Sequence, residues 1–190
     1  EIYHKSKLVA GVEKMPFEFL EELSINLGGT SGSLGSSDRA INFKLHNGVK
    51  IAPLICYESI YGDYTNDFVN DGAQVLSVIT NDGWWGNTPG HRQHLQYAKL
   101  RAIETRRFVA RSANTGISAV IDDYGNILET KGWNISAVIK HAIPITTGLT
   151  FYVCYGDYLY VIFSILAVLF ILWNFILWVQ EKKKQQTKLQ

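Results

Sequence analysis

The sequence predicts an α/β domain of layered α+β type with one membrane-spanning helix behind it. Three observations carry this: strand-like and helical patterns alternate up to residue 157, glycine-bearing turns sit at the strand junctions, and residues 158–179 form one uncharged run. At 190 residues, 47% apolar and 18% charged, the chain suffices for one ordinary domain and a small appendage. The predicted divisions are a domain over 1–157, a transmembrane helix over 158–179 and a basic tail over 180–190.

The opening run IYHKSKLV predicts a strand over 2–9. In residues 16–25, PFEFLEELSI, the positions Phe17, Leu20 and Leu23 recur at helical spacing with acids between them, which predicts a short amphipathic helix. Residues 28–37, GGTSGSLGSS, predict a flexible loop, and without the lysine of GxxxxGKS it is no phosphate cradle. Residues 40–45 and 49–56 flank Asn47-Gly48, the strongest short-range hairpin signal. Cys56 ends the second of these strands. Pro53 inside it requires an edge or a bulge, because proline has no amide to donate to a ladder.

A helix over 63–70 and a strand over 73–80 follow, then a longer helix over 90–107. Strands are predicted over 116–122, 126–130 and 135–145, with Asp123-Tyr124-Gly125 turning the first into the second. In residues 158–179 only Ser164 and Asn174 interrupt the apolar run, and roughly 20 such residues cross a ~30 Å hydrocarbon core as a helix. Tyr158, Tyr160, Trp173 and Trp178 suit the two interfaces. The lysines that follow predict a cytoplasmic tail, which puts the domain on the opposite, periplasmic side in a Gram-negative cell. The chain opens on Glu1 with neither an initiator methionine nor a signal sequence, so it is expected to be part of a longer one.

The net charge of +1 hides an asymmetry. The tail holds four of the 18 basic residues and one of the 17 acids, so the rest of the chain sits near −2 and offers no basic groove for nucleic acid. The two cysteines, Cys56 and Cys154, share no CxxC spacing, and a disulfide between them has no support. His91 and His94 lie i,i+3 without an HExxH context. No metal and no cofactor are expected.

The segment IAPLICYESIYGD sets a thiol where an apolar strand gives way to polar sequence, the place where a rigid strand fixes a nucleophile and the following turn exposes it. A lone cysteine there is more commonly a small core residue, and the neighbours change that. Glu58, two positions on, would raise the thiol pKa unless a cation compensates. Lys5 is the candidate cation, able to stabilise a developing oxyanion, with Glu13 eight residues later to orient its ammonium. Arg92, Lys99, Arg106 and Arg107 read as a solvated basic helix surface, and Arg101 and Glu104 as an i,i+3 structural pair.

YHKSKLV with Glu13, LICYESIYGD, ITNDGWWG and RAIETRRFVARSANTG, in this order, with GLTFYVCYGD just before the apolar run, resemble the carbon-nitrogen hydrolase (nitrilase) superfamily. Within it they are most similar to the apolipoprotein N-acyltransferases. The resemblance covers residues 3–157 and implies the C-terminal half of an αββα sandwich. It implies Cys56 as the nucleophile, Lys5 as the lysine that stabilises the tetrahedral intermediate with backbone amides near Tyr57, and Glu13 and Glu58 as supporting acids. Asn81 and Trp84 would line the substrate pocket, with Trp85 against an acyl chain. The family's general-base glutamate lies upstream of its lysine and is expected in a preceding stretch. Glu13 or Glu58 could in principle replace it; otherwise these residues alone are expected to be inactive.

The implied reaction takes an acyl chain from a phospholipid donor, holds it as a Cys56 thioester, and passes it to the α-amine of a diacylglyceryl-cysteine apolipoprotein at the inner membrane. A membrane-anchored amidase or nitrilase-type hydrolase is the alternative enzyme, distinguished by acid release into water without an amine acceptor. A non-catalytic tethered domain is the alternative outside enzymes. The membrane span favours two lipid substrates, since small amides arrive from water.

Overall fold

The computed structural model describes residues 2–10, 13, 35–37 and 39–188. The helix predicted over 16–25 and most of the loop over 28–37 lie outside them. The chain divides into two units, Glu1–Gly156 and Asp157–Gln190.

The first unit is built on a six-stranded mixed sheet ordered β1 to β6 along the chain. Its strands are β1 (Phe43–Lys44), β2 (Lys50–Ile55), β3 (Val75–Thr80), β4 (Phe108–Ala113), β5 (Ser118–Ile121) and β6 (Ile127–Lys131). β2, β3 and β4 run parallel, and the two parallel steps are made through helices α1 (Gly62–Asn70) and α2 (Pro89–Thr105). Antiparallel hairpins extend the sheet at both ends, β1–β2 on one side and β4–β5–β6 on the other. The Asn47-Gly48 signal marks the first hairpin, with Gly48 at φ +86°, a conformation glycine adopts without steric cost. Pro53 finds its edge, because β1 pairs with β2 only at Lys50 and Ile51 and has ended before Pro53 is reached.

Side chains alternate along each strand, so every second residue faces the helices. Ala52 and Leu54, Leu76 and Val78, Val109, and Ala119 and Ile121 form one buried face, on which Tyr64, Phe68 and Val69 of α1 and Leu95, Ala98 and Ala102 of α2 pack. Thr88 caps α2, its Oγ1 accepting the Gly90 amide at 3.3 Å, and Pro89 occupies the first turn, where its missing amide costs nothing. The short helix α3 (Phe151–Tyr155) closes the core with Val153, and Asn66 and Asn70 of α1 donate to the Tyr152 and Val153 carbonyls at 3.3 Å.

Three expectations are corrected. Residues 2–9 form no strand: the Ser6 and Lys7 amides, which a strand would commit to a ladder, bond instead to a buried carboxylate, that of Glu58. Residues 135–145 form no strand with the described residues, and Val138 in their middle is 86% exposed. β4 itself escaped the sequence reading, because FVARSA carries an arginine at its centre and follows a basic stretch. Of the basic surface expected there, Arg92 and Arg106 are exposed and Lys99 half-buried, but Arg107 is buried, with its guanidinium on the Ala73, Thr105 and Arg106 carbonyls. The Arg101–Glu104 pair is formed at 2.8 Å.

In the second unit, α4 (Tyr158–Lys188) is a single 31-residue helix. Its segment Tyr158–Gln180 has mean hydropathy 2.5 and none of it is buried, so among the described residues one helix is long and apolar enough to cross a membrane.

Candidate active site

Cys56 follows the last residue of β2 and opens a 3-10 turn, Cys56–Ile60. Its φ is +53°, the left-handed region that residues with a Cβ enter at a cost of order 1–3 kcal/mol and that collects at functional sites. A strained turn between a parallel strand and the following helix is the geometry that lifts a nucleophile out of a sheet. The thiol is free and half-buried; Cys154, also free, is exposed.

Four contacts hold this turn. Glu58 reaches back to accept the Ile55 amide at 2.7 Å through Oε2, the reach of an acid in the first turn of a helix. Ser59 Oγ donates to the Cys56 carbonyl at 2.8 Å, and His94 Nε2 of α2 lies 3.1 Å from the same oxygen. Arg101, one helical stretch further along α2, donates to the Ile60 carbonyl at 2.7 Å.

Glu58 does more than cap the turn. It is fully buried, and its Oε1 accepts the Tyr3 hydroxyl at 2.7 Å and the amides of Ser6 at 2.5 Å and Lys7 at 3.3 Å. One carboxylate therefore docks the segment carrying Lys5 onto the turn carrying Cys56. Tyr3 and Tyr64 share a hydrogen bond at 2.7 Å, and Tyr64 donates to Ser6 Oγ. Burial first, then the bonds to Tyr64 and Glu58, pushes the Tyr3 phenol far above its ordinary value; burial likewise raises Tyr64.

Lys5 is the less exposed partner of an ion pair with Glu13. Its Nζ lies 2.8 Å from Oε1 and 2.5 Å from Oε2, and Glu13 also accepts the Val9 amide at 2.8 Å. The ammonium is thus fixed by both carboxylate oxygens of Glu13. Both glutamates have their oxygens committed, Glu58 to four donors and Glu13 to Lys5 and Val9.

The remaining expected site residues differ in what they touch. Tyr57 meets Tyr61 edge to face at 5.2 Å, and burial together with this neighbour pushes the Tyr61 phenol up to about 12. Asn81 caps the second 3-10 turn, Asp82–Trp85, its side chain accepting the Gly83 amide at 3.1 Å. Trp84 is 78% exposed, whereas Trp85 is 39% exposed and sets its ring edge-on to His94 at 5.2 Å.

From the sequence His94 is weighed only as a metal ligand and set aside, and Asp82 and Arg111 are given no role. Asp82 follows β3, Arg111 lies in β4 and His94 in α2, and all three are buried. Asp82 Oδ1 contacts His94 Nδ1 at 2.8 Å and accepts the Thr80 hydroxyl at 2.9 Å, while Oδ2 takes Arg111 Nη2 at 2.6 Å. Burial alone would raise the Asp82 carboxyl, but the His94 bond, the Arg111 charge and the Thr80 hydroxyl outweigh it and hold the group below the usual carboxylate range. Burial lowers Arg111 from the ordinary arginine value. Among the described residues no group of three or more His, Cys, Asp or Glu side chains is placed to hold a metal ion.

The profile of the carbon-nitrogen hydrolase family matches residues 1–148. An apolipoprotein N-acyltransferase from Chlorobaculum tepidum is 37% identical over 164 residues, covering 83% of this chain and 31% of that protein. One from Thermotoga maritima is 35% identical over 178 residues, covering 88% of this chain and 33% of that protein. The chain therefore spans about a third of the length of the curated relatives it matches. Among solved structures, a mutant of the amidase from Nesterenkonia sp. AN1, showing the result of Michael addition of acrylamide at its active-site cysteine, superposes with a TM-score of 0.49 at 18% identity over 69% of this chain and 47% of that one.

Proposed function

The chain belongs to the carbon-nitrogen hydrolase family, and from that we propose that it is the nucleophile-bearing part of an apolipoprotein N-acyltransferase, with Cys56 as the acyl carrier. The observation that carries the reading is the left-handed Cys56 turn clamped through Glu58 to the segment that bears the Lys5–Glu13 pair.

In this reading the Cys56 thiolate attacks the carbonyl of a phospholipid acyl ester. The carbonyl oxygen takes the negative charge, and the Lys5 ammonium with backbone amides near Tyr57 stabilises it. Collapse breaks the ester C–O bond, the lysophospholipid oxygen leaves with a proton, and a thioester remains on Cys56. The α-amine of a diacylglyceryl-cysteine lipoprotein then attacks the thioester, the amide forms, the amine loses a proton and the thiolate returns. Because Glu13 and Glu58 are committed as acceptors, the thiol proton is assigned to the glutamate that the family resemblance places upstream of the lysine.

Asn81 and Trp84 are assigned to the substrate pocket and Trp85 to the acyl chain. α4 is assigned to the inner membrane, with Lys182, Lys183 and Lys184 on the cytoplasmic side and the catalytic unit on the periplasmic side. The exposed apolar span supports lipid substrates over water-borne ones.

The test uses the full-length protein in lipid with a phospholipid carrying a labelled acyl chain and a diacylglyceryl-cysteine peptide. Label on the peptide amine is expected. Label released only as free acid, with or without the peptide, would instead mark a hydrolase.

A further inference from the structure

Ser59, His94 and Asp82 have the connectivity of a hydrolase triad: Ser59 Oγ lies 3.0 Å from His94 Nε2, and His94 Nδ1 lies 2.8 Å from Asp82. It is no second nucleophilic site. Ser59 is fully buried, and its hydroxyl donates to the Cys56 carbonyl rather than facing any cleft. What the three residues converge on is the backbone of Cys56, since His94 Nε2 contacts the same carbonyl at 3.1 Å.

We propose that His94, oriented by Asp82 and Arg111, is a positioning residue for the nucleophile: it holds the Cys56 carbonyl and so fixes the left-handed turn that aims the thiol. The inference rests on the reading of Cys56 as acyl carrier. Cys56 at φ +53° is a conformation its own backbone disfavours, so something outside the turn has to over-determine it. Glu58 secures the residue before Cys56, through the Ile55 amide, and Arg101 secures Ile60 at the far end. The Cys56 peptide itself is gripped by Ser59 and His94.

Each ring atom of His94 is in turn constrained. Asp82 Oδ1 holds Nδ1, Arg111 Nη2 lies 3.3 Å from the same nitrogen, and Trp85 closes on the ring edge-on at 5.2 Å. Asp82 is held by Thr80 and Arg111, and Arg111 Nε is anchored on the Ile117 carbonyl at 3.1 Å. The charged groups facing the imidazole are thus Asp82 from the end of β3 and Arg111 from β4, both buried. The cluster joins β3 and β4 to the turn after β2, so a shift in either strand would reach the nucleophile. Arg111 Nη1 is buried without a hydrogen-bond partner among the described residues. Asp82 and the Cys56 carbonyl both accept, so holding that carbonyl takes a proton on each ring nitrogen, Nδ1–H donating to Asp82 and Nε2–H to the backbone.

The experiment compares full-length wild type, His94→Phe, His94→Gln, Ser59→Ala and Cys56→Ala in lipid. It reads the rate of Cys56 acylation by labelled phospholipid, the KM for that donor, and the pH profile of Cys56 alkylation by iodoacetamide. His94→Phe is expected to slow acylation by about 10- to 100-fold, the scale on which a small misplacement of a reacting atom acts, with KM within about twofold. His94→Gln keeps a donor near the carbonyl and is expected to recover most of the rate. Ser59→Ala, which removes the other donor to that carbonyl, is expected to act in the same direction but less, and it keeps the test open where His94→Phe does not fold. An alkylation profile altered in His94→Phe and restored in His94→Gln supports the positioning role, because a loss of folded protein changes amplitude and not profile. Acylation and alkylation unchanged in folded His94→Phe, or in Ser59→Ala where His94→Phe does not fold, would overturn it, as would a rate loss that tracks the folded fraction and is not recovered by glutamine. Label retained by Cys56→Ala would instead overturn the acyl-carrier reading on which the inference rests.

Discussion

The Glu58 carboxylate accepts the backbone amide of Ser6 at 2.5 Å, across 52 residues of sequence. This contact joins the two halves of the candidate site. It converts an acid beside a thiol, which on charge alone would hinder thiolate formation, into the clamp that docks a lysine-bearing segment onto the nucleophile turn.

Replacing Glu58 by alanine is therefore expected to act on assembly more than on binding. Four donors, from Tyr3, Ser6, Lys7 and Ile55, lose their acceptor, and each unsatisfied buried donor costs about 1–3 kcal/mol before relaxation. Acyl transfer should fall at least about 100-fold, the scale set by removing a positioned oxyanion stabiliser. Limited proteolysis should cut within residues 2–10 faster than in wild type. Unchanged proteolysis at those residues would remove the clamp from the account.

The same segment should release in alkali. Tyr3 and Tyr64 have raised pKa values, so the stability they contribute is complete below the ordinary phenol value of about 10 and declines as pH rises above it towards their folded-state values. Thermal melts between about pH 9 and 11.5 should fall more steeply for wild type than for Tyr3→Phe. Parallel curves would mean that the phenol does not couple to docking.

Asp82 behaves in the opposite sense. Its folded-state pKa is depressed, so its contribution is present above the ordinary aspartate value of about 3.9 and is lost as pH falls through the folded-state value. At neutral pH, Asp82→Ala leaves Arg111 buried without its counter-charge and should cost about 3–5 kcal/mol, read by denaturant unfolding. Asp82→Asn should flatten the acid limb.

Gly116 offers a test by added bulk. A Cβ there would lie 2.6 Å from Asp82 Oδ2 and 2.9 Å from its Cβ, so alanine must displace the carboxylate that orients His94. Gly116→Ala should slow Cys56 acylation about 10-fold or more while leaving the KM for phospholipid within about twofold. Acylation at the wild-type rate in the folded variant would show that Asp82 can move without consequence.

The orientation of α4 is checked by thiol labelling in intact cells. With a membrane-impermeant reagent, Tyr124→Cys, at an exposed hairpin turn, should label from outside, and Gln186→Cys only after the inner membrane is opened. The reverse pattern would place the catalytic unit in the cytoplasm.

Much of the fold was legible because local chemistry determined it. Asn47-Gly48 and Asp123-Tyr124-Gly125 set their hairpins, the apolar run set α4, and the apolar-to-polar change at Cys56 marked the strand end. β4 was not legible, since Arg107 read as a solvated charge and Arg111 breaks the apolar run, and only the tertiary fold supplies the carbonyls and the carboxylate that bury them. The strand expected over 2–9 failed for a related reason: the Ser6 and Lys7 amides are satisfied by a side chain 51 or more residues away. Of the candidate site, Cys56, Lys5, Glu13 and Glu58 were named from the sequence; in the structure Lys5 pairs with Glu13, and Glu58 ties the amides of Ser6 and Ile55, the neighbours of Lys5 and Cys56. The Asp82–His94–Arg111 cluster spans three elements, and NDG by itself reads only as a turn.

The central claim is that Cys56 carries the acyl chain, and peptide mass spectrometry tests it most directly. After incubation of the full-length protein with phospholipid and no acceptor, the peptide containing Cys56 should gain one fatty-acyl mass that hydroxylamine removes, and Cys56→Ala should show none. An acyl mass on any other residue, or one that survives in Cys56→Ala, would contradict the account.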